Sequence, residues 1–153
     1  MPVKELAGCD PQELHALVPG WFDEEFREQR DEGLVVGTAD GELVTALLCL
    51  VGADEGAVWP ATSGPADWDD HWLVGTIDAD EVRLIAAELA GTPLRQWAES
   101  HRDGLAAAAR SLGYHLPSDD EWMKHVVQDA EYLTALFVAA AADGQAVVAK
   151  VVA

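Results

Sequence analysis

Apolar positions recur at helical spacing through most of the chain and alternate or run together in only a few places. The pattern therefore predicts many helices and few strands. "DPQELHALV" opens with Asp10 as an N-cap and Pro11 at the first helical position, where a missing amide costs nothing, and predicts a helix over 11–18 ended by "PG". In "WFDEEFREQRDE", Phe22, Phe26 and Arg30 fall four apart, giving a face that can dock while the charges stay in water until Gly33 stops the helix. "GLVVGTADGELVTALLCLVG" carries two signals. Leu34 to Val36 favour a short strand or extended link, whereas Leu43, Leu47, Leu48 and Val51 repeat helically and predict a helix over 41–51 capped by Asp40. Residues 52–71, rich in Gly, Pro, Ala and Asp, read as an irregular loop, and "HWLVGTI" after them reads as a strand.

The second half is more regular. "DADE" at 78–81 has the pattern of a capping box and opens a helix whose inward stripe is Val82, Ile85, Ala86 and Leu89, with Gly91 closing it. "TP" at 92–93 starts another, running through Leu94, Trp97, Leu105 and Ala108 to Leu112, with a break expected near Gly104 and Gly113 as the C-terminal cap. "SDDE" at 118–121 repeats the capping pattern and predicts the longest helix, with Trp122, Val126, Leu133, Phe137 and Ala141 on one side as far as Gly144. "AVVAKVV" is β-branched and largely apolar, as suits a strand covered on both faces. Such scattered strands do not form a βαβ series. The expected fold is α+β: one compact domain, 1–153, with several helices packed on a small mixed or antiparallel sheet.

Composition leaves that picture intact and charge sharpens it. Half of the 153 residues are hydrophobic, enough to fill one core. Against 28 acidic side chains stand 9 basic ones, a formal net charge of -19. Such a surface repels phosphate backbones and anionic membranes, so neither nucleic acid nor membrane is expected as a partner. A basic protein would be drawn in by the same field, which is equally the signature of solubility or adaptation to salt. The opening "MPVKELAG" lacks an apolar export region and no apolar run reaches membrane length, so a cytoplasmic location is expected. Cys9 and Cys49, without CxxC spacing, are expected to be buried free thiols.

Candidate chemistry is sparse. Glu121 and His125 lie four apart on one helical face, and Asp67, Asp69, Asp70 and His71 cluster in sequence, so both groups have donors suited to a metal. Neither carries a recurring ligand spacing, and abundant acidic residues make chance clusters, so no metal or other cofactor is expected. Ser63 and Ser118 lie outside any nucleophile elbow, and "GTADG" matches no phosphate-binding loop. That leaves "WPATSGPADWDDHW", residues 59–72, with three tryptophans in a Pro-rich and Asp-rich stretch. Burying an indole there anchors the loop, as expected for Trp72; leaving Trp59 or Trp68 partly exposed beside Asp67, Asp69, Asp70 and His71 makes a patch for a basic partner. Trp97 and Trp122 sit on apolar helical stripes and are expected in the core.

"DADEVRLIAAELAG", "YHLPSDDEW" and "AEYLTALFVAAAADGQAVVAKVV" together resemble the YfbM-like family of small bacterial proteins, a domain of unknown function, over residues 72 to the end and partly in "DPQELHALV". The resemblance implies an α+β fold with helices on a small sheet and supplies no catalytic residue. The chain departs from the family in beginning Met-Pro instead of Met-Gly, and "GELVTALLCLVG" lacks the family's Trp and His.

Two functional expectations follow. One is a noncatalytic acidic protein-binding domain, of the inhibitor or immunity type, using Trp59, Trp68, Asp67, Asp69, Asp70 and His71 against a basic partner. The other is a small enzyme or ligand-binding protein with a pocket between the 59–72 loop and the 119–142 helix, and His71, Glu121 and His125 as its polar groups.

Overall fold

The C-terminal strand is the centre of the molecule. In the computed structural model, which describes residues 1–3, 8–38, 41–65, 67–115 and 121–151, β3 (Ala146–Lys150) lies between β1 (Pro2–Val3) and β2 (Val74–Ile77), and both pairings are antiparallel. Alternation along β3 sends Val147 to one face of the sheet and Val148 to the other, and each meets its own hydrophobic cluster. Helices and links cover both faces, which is why "AVVAKVV" is apolar at successive positions.

The larger cluster is helical. Helices α3 (Gly41–Leu50), α5 (Ala79–Ala90) and α8 (Glu121–Ala142) bury Leu47, Leu48, Val82, Ile85, Leu89 and Phe137 almost completely, together with Ile77 of β2. Removing each such side chain from water stabilises the fold by about 1.5–3 kcal/mol before conformational entropy is charged against it. The Asp78 carboxylate caps α5 by accepting the Glu81 amide at 2.8 Å. The smaller cluster sits on the opposite face, where α1 (Pro11–Leu17) and α2 (Glu24–Asp31) supply Leu14 and Phe26 to Val35, Val74 and Val148. Asp10 caps α1 as its sequence predicts, accepting the Glu13 amide at 2.9 Å. The fold is thus α+β, with several helices on a small antiparallel sheet. No helix among the described residues is long and apolar enough to cross a membrane.

Several expectations change. Part of the 52–71 segment is helical: α4 spans Glu55–Thr62 despite Gly56 and an internal Pro60. Tertiary packing overrides propensity there, because Asp54 caps the first turn through the Ala57 amide at 3.1 Å and Val58 is fully buried in the core. Helix α2 begins only after its N-cap, Asp23, so Phe22 lies outside it and is 91% exposed while Phe26 alone of that spacing is buried. Residues 35–38 form an unpaired link. The break after "TP" falls at His101, between α6 (Leu94–Ser100) and α7 (Arg102–Ser111), and Gly104 stays helical. At that break the His101 ring stacks on Trp97 with centroids 3.7 Å apart. Cys9 and Cys49 are free thiols, each partly buried. The Asp40 cap and most of "SDDE", Ser118 included, lie outside the described residues.

Candidate functional site

The acidic side chains of the 67–72 segment are tied to the sheet. The Asp67 carboxylate accepts the Thr76 amide at 2.9 Å and the Thr76 hydroxyl as well, closing the outer edge of β2. Asp69 continues that edge: its amide donates to the Val74 carbonyl at 2.8 Å, and its carboxylate accepts the Trp72 and His71 amides at 2.7 and 3.1 Å. The tight Asx turn that results leaves Leu73 at φ 52°, an unusual value for a residue with a branched side chain. Trp72 is the anchor its sequence predicts, half-buried against the smaller cluster between the rings of His15 at 5.7 Å and His71 at 5.3 Å. Asp70 and His71 face solvent.

The other indoles of the region have a different setting. A cleft of about 500 Å³ opens beside β3, within the size range of ligand pockets. Its position follows from strand lengths: β1 reaches only Ala146 and Val147, Met1 pairs with Val148, and from Ala149 onward the edge of β3 faces the cleft. Trp59 of α4, Trp68, and Trp21 from the α1–α2 connection line it, with Leu133, Leu136 and Phe137 of α8 deeper in. Trp21 and Trp59 are each more than two-fifths exposed. Residues of the Trp segment and of α8 both line this cleft, and His71, Glu121 and His125 do not.

Glycines seat two of these rings. A Cβ on Gly37 would lie 1.9 Å from the Trp21 ring, and one on Gly75 would lie 3.1 Å from Trp68 and 2.5 Å from Pro65. Gly41, at the start of α3, lets that helix approach the Thr62 carbonyl, which a Cβ would meet at 1.8 Å. Behind this wall the Thr45 and Thr62 hydroxyls lie 2.5 Å apart, with Thr45 Oγ 2.8 Å from the Gly41 carbonyl. Each hydroxyl has one proton, so both are satisfied when Thr62 donates to Thr45 and Thr45 donates to Gly41.

Two ionisable side chains line the cleft among the described residues, Glu42 and Lys150. Lys150 Nζ donates to the Val18 and His15 carbonyls at 2.9 and 3.2 Å, so its charge is held at the C-terminal end of α1. Burial pushes the Met1 amine, hydrogen-bonded to the Val148 carbonyl at 2.8 Å, down to about 5. Glu42 is exposed in the first turn of α3.

Glu121 and His125 occupy exposed positions in the first turns of α8. Lys124 donates to Glu121 at 2.9 Å and, with a smaller contribution from His125, holds its carboxyl below the usual range. Among the described residues no group of three or more His, Cys, Asp or Glu side chains could hold a metal ion. No protein-family model, curated protein or solved structure matches the chain.

Sequence reading missed Trp21, Glu42 and the three contact glycines. Asp23 followed by two glutamates marks a helix start, and taking it as an N-cap would have freed Trp21 and Phe22 from α2. Nothing local in the sequence distinguishes Gly37, Gly41 and Gly75 from turn glycines.

Proposed function

We propose that this chain is a noncatalytic, cytoplasmic binding domain of the inhibitor or immunity type that engages a basic partner protein. The observation that carries the reading is the composition of the cleft: indole and aliphatic walls, with Glu42 as its carboxylate, on a molecule of net charge -19. Apolar walls with one acidic group are suited to holding a cationic side chain. No His, Cys or Asp side chain lines the cleft among the described residues, and its polar lining includes Glu42, Ser63 and Lys150. Asp67 and Asp69 add to the long-range field while their oxygens hold the edge of β2. Kinship with the YfbM-like proteins is part of the same proposal and would leave the reading unchanged.

The test is a titration of purified basic proteins, beginning with products of neighbouring genes, from about 50 to about 500 mM salt. Saturable binding that weakens as salt rises is expected. Binding that is absent throughout, or indifferent to salt, contradicts the reading.

A further inference from the structure

The surface around the cleft extends beyond what a small ligand would cover. Phe22, 91% exposed, directly follows Trp21 on one lip; on the other, Trp59 shares a face of α4 with Glu55, one turn earlier, and both are exposed. A ligand held wholly inside the cleft leaves Phe22 in water. A polypeptide laid across the opening can reach past Trp21 to Phe22 and send one side chain between the lips. We infer that the cleft takes an arginine side chain from the partner, with Glu42 accepting the guanidinium and Trp21 and Trp59 supplying its aromatic contacts.

This inference rests on the proposed partner-binding function and names its anchor. Charge complementarity selects the occupant: Glu42 in the cleft and Glu55 beside Trp59 are exposed carboxylates on a molecule of net charge -19, while the donors of the Lys150 ammonium are directed to two carbonyls of the α1 end. Arginine is favoured over lysine because a guanidinium is planar and weakly hydrated, stacks on indole, and can present two N–H groups to one carboxylate. An ammonium gives up more hydration to enter apolar walls. The site also differs from the acidic stretch at 67–71: the oxygens of Asp67 and Asp69 already bind backbone amides, whereas Glu42 lines an open space.

The probes are three capped tripeptides, Gly-Arg-Gly, Gly-Lys-Gly and Gly-citrulline-Gly, the last a neutral isostere of the first. Indole N–H resonances of the intact protein report their binding. The arginine peptide is expected to shift Trp21 and Trp59, the lysine peptide to bind more weakly, and the citrulline peptide to lose roughly fivefold or more in affinity. Glu42→Gln and Trp59→Leu should each weaken the arginine peptide by a similar factor, and Asp143→Asn, an exposed residue just past the end of α8, should leave it unchanged. Equal binding of citrulline and arginine peptides, or no effect of either cleft variant, overturns the inference. Should Trp59→Leu fail to fold, Glu42→Gln alters an exposed side chain and decides the matter alone. A basic protein that binds wild type and the Glu42→Gln, Trp59→Leu double variant equally, with salt dependence intact, removes the cleft while leaving the broader function standing. Absence of any such binding removes both.

Discussion

Gly37 passes so close to Trp21 that a Cβ at position 37 would lie 1.9 Å from the indole ring. The ring owes its position at the lip of the cleft to that missing methyl group. Gly37→Ala should therefore displace Trp21 and cost about 1–3 kcal/mol by overpacking, visible as a lower urea midpoint and altered tryptophan emission. Gly104 is the internal control. It lies within α7 with nothing within 4 Å of its would-be Cβ, so Gly104→Ala should stabilise by about 0.5–1 kcal/mol.

Asp69 and Asp70 are neighbours with different work. Asp69→Ala leaves the His71 and Trp72 amides without their carboxylate partner and should cost about 1–2 kcal/mol, while Asp70→Ala should stay within about 0.5 kcal/mol. Leu73→Asn should act in the opposite direction, because Asn tolerates the left-handed backbone that Leu73 is held in. Thermal unfolding of the three variants ranks them; a cost for Asp70→Ala equal to that for Asp69→Ala would contradict the assignment.

The paired Thr62 and Thr45 hydroxyls, with Thr45 also donating to the Gly41 carbonyl, link α4 to α3. Thr62→Val keeps the shape and removes the hydroxyl that partners Thr45, so it should destabilise by about 1–3 kcal/mol. Thr45 would then be left with the Gly41 carbonyl and a more distant Ser63 hydroxyl at 3.4 Å. Equilibrium unfolding checks the value, and a neutral substitution would show that the helices need no polar link there.

Cys49 supplies a pH dependence. Burial first, then the charges of Glu55 and Asp54, push its thiol above the ordinary range. In a Cys9→Ser background its alkylation rate should rise with pH along a curve displaced to higher pH than that of a free thiol. Above the ordinary thiol pKa the unfolded chain loses this proton first, so this contribution to stability is intact at neutral pH and declines as pH rises through the alkaline range. An alkylation profile matching a model thiol would contradict the environment assigned to Cys49.

Most of the framework was legible because caps and apolar periodicity are local. Asp10, Asp78, Gly113 and the stripe of α5 can be read within a dozen residues, and so can the buried C-terminal strand. Helix α4 was hidden because its support comes from afar: Val58 enters the core and Thr62 meets Thr45, while Gly56 and Pro60 argue locally for a loop. The same reason conceals the cleft. Trp21 and Trp59 are 38 positions apart in sequence, and only the strand register at Met1 and Val148 opens the space they frame. Asp67 and Asp69 could be seen as acidic from sequence, but not as closing a strand edge, since their partners depend on where β2 ends.

The central claim is that the partner meets the lips of the cleft. Titrating the isotopically labelled protein with a basic protein that binds it, and following all six indole N–H signals together, tests this most directly. The account predicts that Trp21 and Trp59 shift in step with saturation while Trp97 and Trp122, packed against the helical core, stay in place. Saturation that moves the Asp70 and His71 amides but leaves Trp21 and Trp59 unshifted would contradict it.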